Sequence, residues 1–132
     1  MNIFIDTSGF IAVLNADDDM HVRAKEVWIK MISDRTNLIT NNYILVETFA
    51  LVQSRLGMAA VRAFQEDILP LIHVEWVDEI SHKMGVSALL ATGRKKLSLV
   101  DCVSFETMRK LALRNVFTVD KHFKDQGFKS VI

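Results

Sequence analysis

The sequence predicts an α/β protein, a three-layer α/β/α sandwich with a mostly parallel central sheet. Short apolar runs alternate along the whole chain with longer segments of helical apolar periodicity. Such alternation is what parallel strands joined by crossover helices require, with helices covering both sheet faces. Half of the 132 residues are hydrophobic and only one is proline. That is enough apolar material for one continuous core and too much for a disordered chain. With no internal repeat, low-complexity tract or linker, residues 1–132 read as a single domain.

Residues 2–5 are too short and too uniformly apolar for a helix and read as a buried strand. Thr7 to Asn15 then reads as a short helix, with Thr7 or Ser8 as its N-cap. Ala24, Val27, Trp28 and Met31 form the stripe of an amphipathic helix, and Asp17-Asp18-Asp19 sit where its macrodipole favours acids. Leu38-Ile39-Thr40 is the second strand. Asn41 or Asn42 caps a long apolar helix to about Leu56, ended by Gly57.

Another helix is expected over Met58–Leu69, stopping before Pro70. Ile72, Val74 and Trp76 alternate with His73, Glu75 and Val77, the pattern of a half-exposed edge strand. A helix from about Asp78 to Thr92 ends at Gly93, a suitable C′ residue. After Arg94-Lys95-Lys96, Ser98 caps a helix to about Leu113. Val116 to Val119 is a strand, followed by Asp120, a helical turn to Gly127 and a last strand at Ser130–Ile132.

Charge and cysteine content narrow the function classes. Lys+Arg and Asp+Glu balance at 16 each, so no excess of positive charge argues for nucleic-acid binding. The single cysteine, Cys102, has no intramolecular disulfide partner, which suits a reducing compartment. The N-terminus carries no basic segment, Asp6 interrupts any apolar signal core, and no run approaches the roughly 18 apolar residues of a membrane span. A soluble, cytoplasmic protein is expected.

Four carboxylates occupy unusual positions. Asp6 closes the first strand directly, and Asp120 closes another, with Thr118 on the same side by the two-residue period. Ligand sites in open α/β sheets gather beyond such strand ends. Glu47 interrupts the nearly charge-free helix Tyr43–Val52, sharing a face with Ile44, Ala50 and Leu51. Asp101 lies on a stripe with Phe105, Met108 and Ala112. Each also has a structural reading. Asp6 and Asp120 can cap the helices that follow, and Ser98-Leu99-Val100-Asp101 matches a capping box. Glu47 has no such local partner.

If the four converge, their repulsion needs neutralising, since two unit charges about 4 Å apart repel by roughly 4 kcal/mol at an effective dielectric near 20. Oxygen donors without a His or Cys cluster favour Mg²⁺ or Mn²⁺ over zinc. Such sites orient and acidify a water for displacement at phosphorus, so phosphodiester hydrolysis is the chemistry that best uses them.

Asp6-Thr7-Ser8, Glu47, the run Ser98–Phe105 and the run Val116–Phe123 together resemble the PIN-domain ribonucleases, above all the VapC-type toxins of toxin–antitoxin pairs and their stand-alone relatives. The likeness spans essentially the whole chain. Asp-Cys-x-Ser-Phe and Thr-x-Asp-x-His-Phe are its more specific segments, and Asp19–Trp28, with His21 and Ala24, resembles the family's second helix. The resemblance implies a PIN-like fold and a Mg²⁺- or Mn²⁺-dependent endoribonuclease. Asp6, Glu47, Asp101 and Asp120 match the acidic quartet that carries metal and catalysis. Thr118 matches a supporting hydroxyl, and Ser8 supplies a further hydrogen bond. It also implies an RNA substrate, a homodimer and, for a toxin, an antitoxin that blocks the acidic site.

Other residues read as structural. The four histidines lack zinc-ligand spacing, and His122 is assigned to packing or solvation, with a phosphate contact as the alternative. Cys102 reads as a small buried thiol, Arg94-Lys95-Lys96 as a solvated loop with phosphate contact as the alternative, and Trp28 and Trp76 as core or dimer-interface residues. Two alternatives stand beside the nuclease: a non-catalytic RNA- or partner-binding module on the same fold, and a small-molecule phosphohydrolase. The latter would want an Asp-x-Asp motif after the first strand, which the chain lacks.

Overall fold

A computed structural model describes all residues from Met1 to Ile132. Its sheet is entirely parallel and runs β3-β2-β1-β4-β5, with β1 at Asn2–Ile5, β2 at Asn37–Asn41, β3 at Ile72–Glu75, β4 at Asn115–Phe117 and β5 at Lys129–Ser130. β1 is central because Ile3, Phe4 and Ile5 are all buried, which only a strand covered on both faces can satisfy. β3 carries a half-exposed pattern and lies at an edge, as its alternation predicts. The helices are α1 (Thr7–Leu14), α2 (His21–Ser33), α3 (Asn42–Leu56), α4 (Met58–Ala63), α5 (Glu79–Thr92), α6 (Leu99–Lys110) and α7 (His122–Asp125).

Aromatic contacts mark the two layers. On one face Trp28 of α2 meets Phe117 of β4 and Phe10 of α1, and Phe64 bridges Phe10 to Phe49 of α3. On the other face Phe4 meets Phe123 of α7, which stacks edge-on against Phe105 of α6. Two glycines permit the closest approaches. A Cβ on Gly9 would stand 2.4 Å from the Phe117 carbonyl oxygen, and one on Gly85 would stand 2.4 Å from a Val103 methyl. Gly9 thus brings the first turn of α1 against the end of β4.

Buried polar residues brace this framework. Asn41 caps α3 by accepting a hydrogen bond from the Ile44 N–H at 2.8 Å, while its amide donates to Thr107 and Ser104 of α6. Thr40 donates to the Ile5 carbonyl and Thr48 to the Thr7 hydroxyl, tying β2 and α3 to the β1–α1 junction. Asp78 caps α5 by accepting from the Ser81 N–H, and Gly93 takes the left-handed conformation that ends it.

Several boundaries differ from the expectations. The helix expected to stop before Pro70 instead loosens into a π-turn over Phe64–Ile68 and tightens into a 3₁₀ turn, Leu69–Leu71, that contains the proline. Pro70 has no N–H to return to the preceding turn, so the pitch changes rather than the chain leaving the helix. β3 ends at Glu75, leaving Trp76 outside the sheet and 69% exposed. β4 ends at Phe117, because the Thr118 side chain and the Val119 N–H turn to the acidic edge. β5, at Lys129–Ser130, begins one residue and ends two residues earlier than expected. α6 stops at Lys110 rather than Leu113, and Ala112 adopts a positive φ of 54°. No acid occupies the first turn of α2; Asp18 instead closes the preceding loop by accepting from the Met20 N–H at 2.8 Å.

Candidate active site

The β1–β4 register builds the site. Ile5 pairs with Phe117, and the Asp6 N–H donates to the Phe117 carbonyl at 3.2 Å, so Asp6 and Thr118 leave the sheet side by side. Asp6 occupies the N-cap position of α1, yet its carboxylate makes no capping bond. Neither Thr7 nor Ser8 caps the helix. Oδ2 of Asp6 instead accepts from the Ser8 hydroxyl at 2.8 Å and the Thr118 hydroxyl at 2.9 Å. Both donors are held from behind: the Val119 N–H donates to Ser8 Oγ and the Asp120 N–H to Thr118 Oγ1, each at 3.0 Å. Oδ1 of Asp6 receives neither bond and stays available on the cleft side.

Burial disfavours the Asp6 anion most, the two hydroxyls offset part of that, and the charges of Asp101 and Asp120 add to it. The carboxyl is pushed up to about 6. Asp101 is also raised, by burial first and by Asp120, against the opposing effect of its Ser98 bond and of His122. Its capping box is present: Ser98 Oγ accepts from the Asp101 N–H, and Asp101 Oδ2 accepts from the Ser98 N–H, both at 3.1 Å. Capping and membership of the acidic cluster therefore coexist in one side chain.

Asp6, Glu47, Asp101 and Asp120 all line one cleft of about 400 Å³ at the C-terminal edge of the sheet. Thr118 does not line the cleft; it is buried behind Asp6, to which its hydroxyl donates. Glu47 comes from the second turn of α3 and is half-buried; Ala50 on its face is exposed, so the carboxylate opens onto the cleft rather than into packed material. Three further residues join: Asp18 and His122, which the sequence reading assigns to structural roles first, and Arg55, which it does not single out. Asp18 lines the cleft from the α1–α2 loop, and Arg55 lines it from the last turn of α3. His122 sets its Nδ1 3.2 Å from Asp120 Oδ1 and 3.7 Å from Asp101 Oδ2, with no hydrogen-bond partner for that buried nitrogen.

Ligand atoms of Asp101, Asp120 and His122 all lie within 4.8 Å of one another. This donor set, with Asp6 beside it, fits a small divalent cation: hard oxygen donors dominate, and their mutual repulsion is what a cation relieves. The signal for His122 was present in the sequence, two residues past a strand-end acid, where a tight turn folds the ring back. The Asp120 carboxylate makes that turn by accepting from the His122 N–H at 2.9 Å. Cys102 stays buried, as expected, with its thiol pushed up by burial. Arg94, Lys95 and Lys96 are exposed and line none of the clefts described here.

A parallel five-stranded sandwich with carboxylates converging at its C-terminal edge defines a class, and the chain belongs to it: the PIN domain family model matches residues 3–129. The chain is 34% identical over 130 residues to the 23S rRNA-specific endonuclease VapC20 of Mycobacterium tuberculosis, covering 98% of this chain and 97% of the relative. The crystal structure of that VapC20, described as a sarcin–ricin loop cleaving toxin, superposes with a TM-score of 0.85 at 32% identity, over 96% of this chain and 95% of the other. FitAcB from Neisseria gonorrhoeae shares the fold at a TM-score of 0.69 and 18% identity, covering 98% of this chain and 96% of the other. VapBC2 from Rickettsia felis, bound to a promoter DNA fragment, does so at 0.68 and 11%, covering 98% and 97%.

Proposed function

We propose that this chain is a single PIN nuclease domain over residues 1–132, a Mg²⁺- or Mn²⁺-dependent endoribonuclease and the toxin of a toxin–antitoxin pair. The observation that carries the reading is the convergence of Asp6, Glu47, Asp101 and Asp120 from separate elements on one cleft. Full-length similarity to an rRNA endonuclease supports RNA as the substrate, and the sarcin–ricin loop of 23S rRNA is the first target to test.

In this reading Asp6, Asp101 and Asp120 hold the cation, with Glu47 on the facing wall. Such an ion, when bound, lowers the pKa of a bound water and offsets charge building up at phosphorus. The protein's own contribution is positioning. Thr118 and Ser8 fix one oxygen of Asp6 and leave the other to the cleft. The Thr118 hydroxyl also accepts from the Asp120 N–H, so one side chain sets the spacing of two carboxylates.

The antitoxin belongs to the proposal because VapC20 is itself described as a toxin. A homodimer belongs to it as well, supported by the exposed apolar side chains Trp76, Ile80 and Leu90, whose burial between copies would remove them from water. Cytoplasmic residence follows from the rRNA substrate; no helix is long and apolar enough to cross a membrane. The test is cleavage of a 23S rRNA sarcin–ricin hairpin and of unrelated RNAs by purified protein in Mg²⁺, Mn²⁺ or EDTA. Metal-dependent cutting that vanishes in Asp6→Asn supports the reading. Metal binding with no cutting of any RNA would move it to the non-catalytic module.

A further inference from the structure

The acidic cleft presents a physical problem for an RNA substrate. Its lining holds five carboxylates, those of Asp6, Asp18, Glu47, Asp101 and Asp120, and a single guanidinium, Arg55. A bound cation neutralises part of that charge, but phosphates on either side of the one being cut still face net repulsion. Cations beside the cleft would offset it.

The structure holds such cations on one side. A second depression, about 210 Å³, lies against the first and shares Val119 and Asp120 with it. Its character differs: Lys121 and Lys124 line it, Asp120 is its only acidic side chain, and Thr118 and Ser130 supply its hydroxyls. The backbone that carries the lysines is anchored. Phe123 between them is fully buried against Phe4 and Phe105, which anchors α7. Residues three apart on a helical turn share a face, so Lys121 and Lys124 point out together. No carboxylate oxygen lies within 4 Å of either ammonium, whereas Lys30, Lys83 and Lys110 elsewhere are paired. The α1–α2 loop spans the two depressions, with Asp18 on one and Met20 on the other.

We infer that the depression lined by Lys121 and Lys124 is a phosphate subsite for the same RNA strand, next to the phosphate being cut, with Arg55 gripping the strand across the acidic cleft. The inference rests on the endoribonuclease reading and adds to it the path of the strand, over the Val119–Asp120 ridge.

The experiment compares Lys121→Gln/Lys124→Gln with the wild-type chain on the sarcin–ricin hairpin, alongside Lys121→Arg/Lys124→Arg. KM is expected to rise about tenfold with kcat within about twofold, the pattern of lost uniform binding. Measured on the Asp6→Asn background, the slope of log affinity against log salt should fall by about 1.4, or about 0.7 per charge removed for a single strand. Arginine at both positions should restore KM and slope, and calorimetric Mn²⁺ binding should not change in either double variant. Unchanged KM and slope in the glutamine variant, with the wild type cutting, overturn the subsite alone. Raised KM that arginine does not restore also overturns it, since charge would then not be the cause. A wild-type chain that neither binds nor cuts RNA overturns the reading beneath it.

Discussion

The two ends of the same parallel strands are chemically unlike. At the C-terminal edge a cleft of about 400 Å³ gathers five carboxylates. At the N-terminal edge a depression of similar size, about 350 Å³, is lined by Asn2, Thr36, Asn37, Leu38, Ile39, Leu71 and His73, with no acid among them. There the polar groups satisfy each other, as when the Asn37 amide donates to Asn2 Oδ1 at 2.9 Å. The difference follows from chain direction. α1, α3 and α7 begin just beyond the C-terminal ends of β1, β2 and β4, and α6 presents Asp101 in its first turn there. Helix N-termini offer unpaired N–H groups and partial positive charge, so that edge tolerates anions and the opposite edge does not. The tolerance is incomplete: the raised pKa values of Asp6 and Asp101 register the remaining cost.

The comparison can be broken most directly by exchanging one side chain at each end. Asp6→Asn should lower kcat/KM by on the order of a thousandfold, about 4 kcal/mol of transition-state stabilisation. His73→Gln at the other end should leave RNA cleavage within about twofold, so an equal loss at both ends would dissolve the distinction. Gly9→Ala tests the geometry that sets the edge. Its methyl would meet a backbone oxygen rather than a flexible side chain, and a loss of about 1–3 kcal/mol is expected in chemical denaturation.

Thr118→Ala sharpens the role of the hydroxyl behind Asp6. It removes a donor to Asp6 and the acceptor of the Asp120 N–H. Mn²⁺ affinity by calorimetry should weaken about 10- to 100-fold, and Thr118→Ser should recover most of it. The smallest effect is on stability and pH. Asp6 titrates near 6 in the fold against 3.8 ordinarily, so between those values the folded state holds the extra proton. In EDTA its contribution should therefore make the fold less stable as pH rises from about 4 through about 6, by on the order of 2 kcal/mol. Asp6→Asn should abolish that part of the slope in thermal unfolding. Mn²⁺ affinity should move the other way, falling as pH drops through about 6, because the ion needs the anion. A wild-type pH slope that matches the variant would show that the buried charge is not the cause.

Much of the fold was legible because local chemistry dictates it. Uniformly apolar Ile3-Phe4-Ile5, the Asn41 cap and the stop at Gly93 are decided within a few residues. The acids at strand ends were legible for the same reason: a charge following an apolar run is anomalous wherever the strand finally sits. The Pro70 segment departs from the expected helix stop because a change of pitch suffices to accommodate a proline. Asp18 reads first as a helix-capping acid because it stands in an acidic run ahead of a helix, and Arg55 goes unnoticed because it looks ordinary in a last helical turn.

The sequence by itself determined the class of fold, the order of its elements and which carboxylates were out of place, since these follow from period, capping and burial along the chain. Only the tertiary structure decided that β1 and β4 are neighbours, and with that the approach of Asp6 to Thr118 across 112 positions of sequence. It also decided that the Asp101 capping box and the turn before His122 face the same cleft. No local pattern encodes those distances. They arise because the sheet buries its apolar faces in one strand order, and the polar ends then meet where that order leaves them.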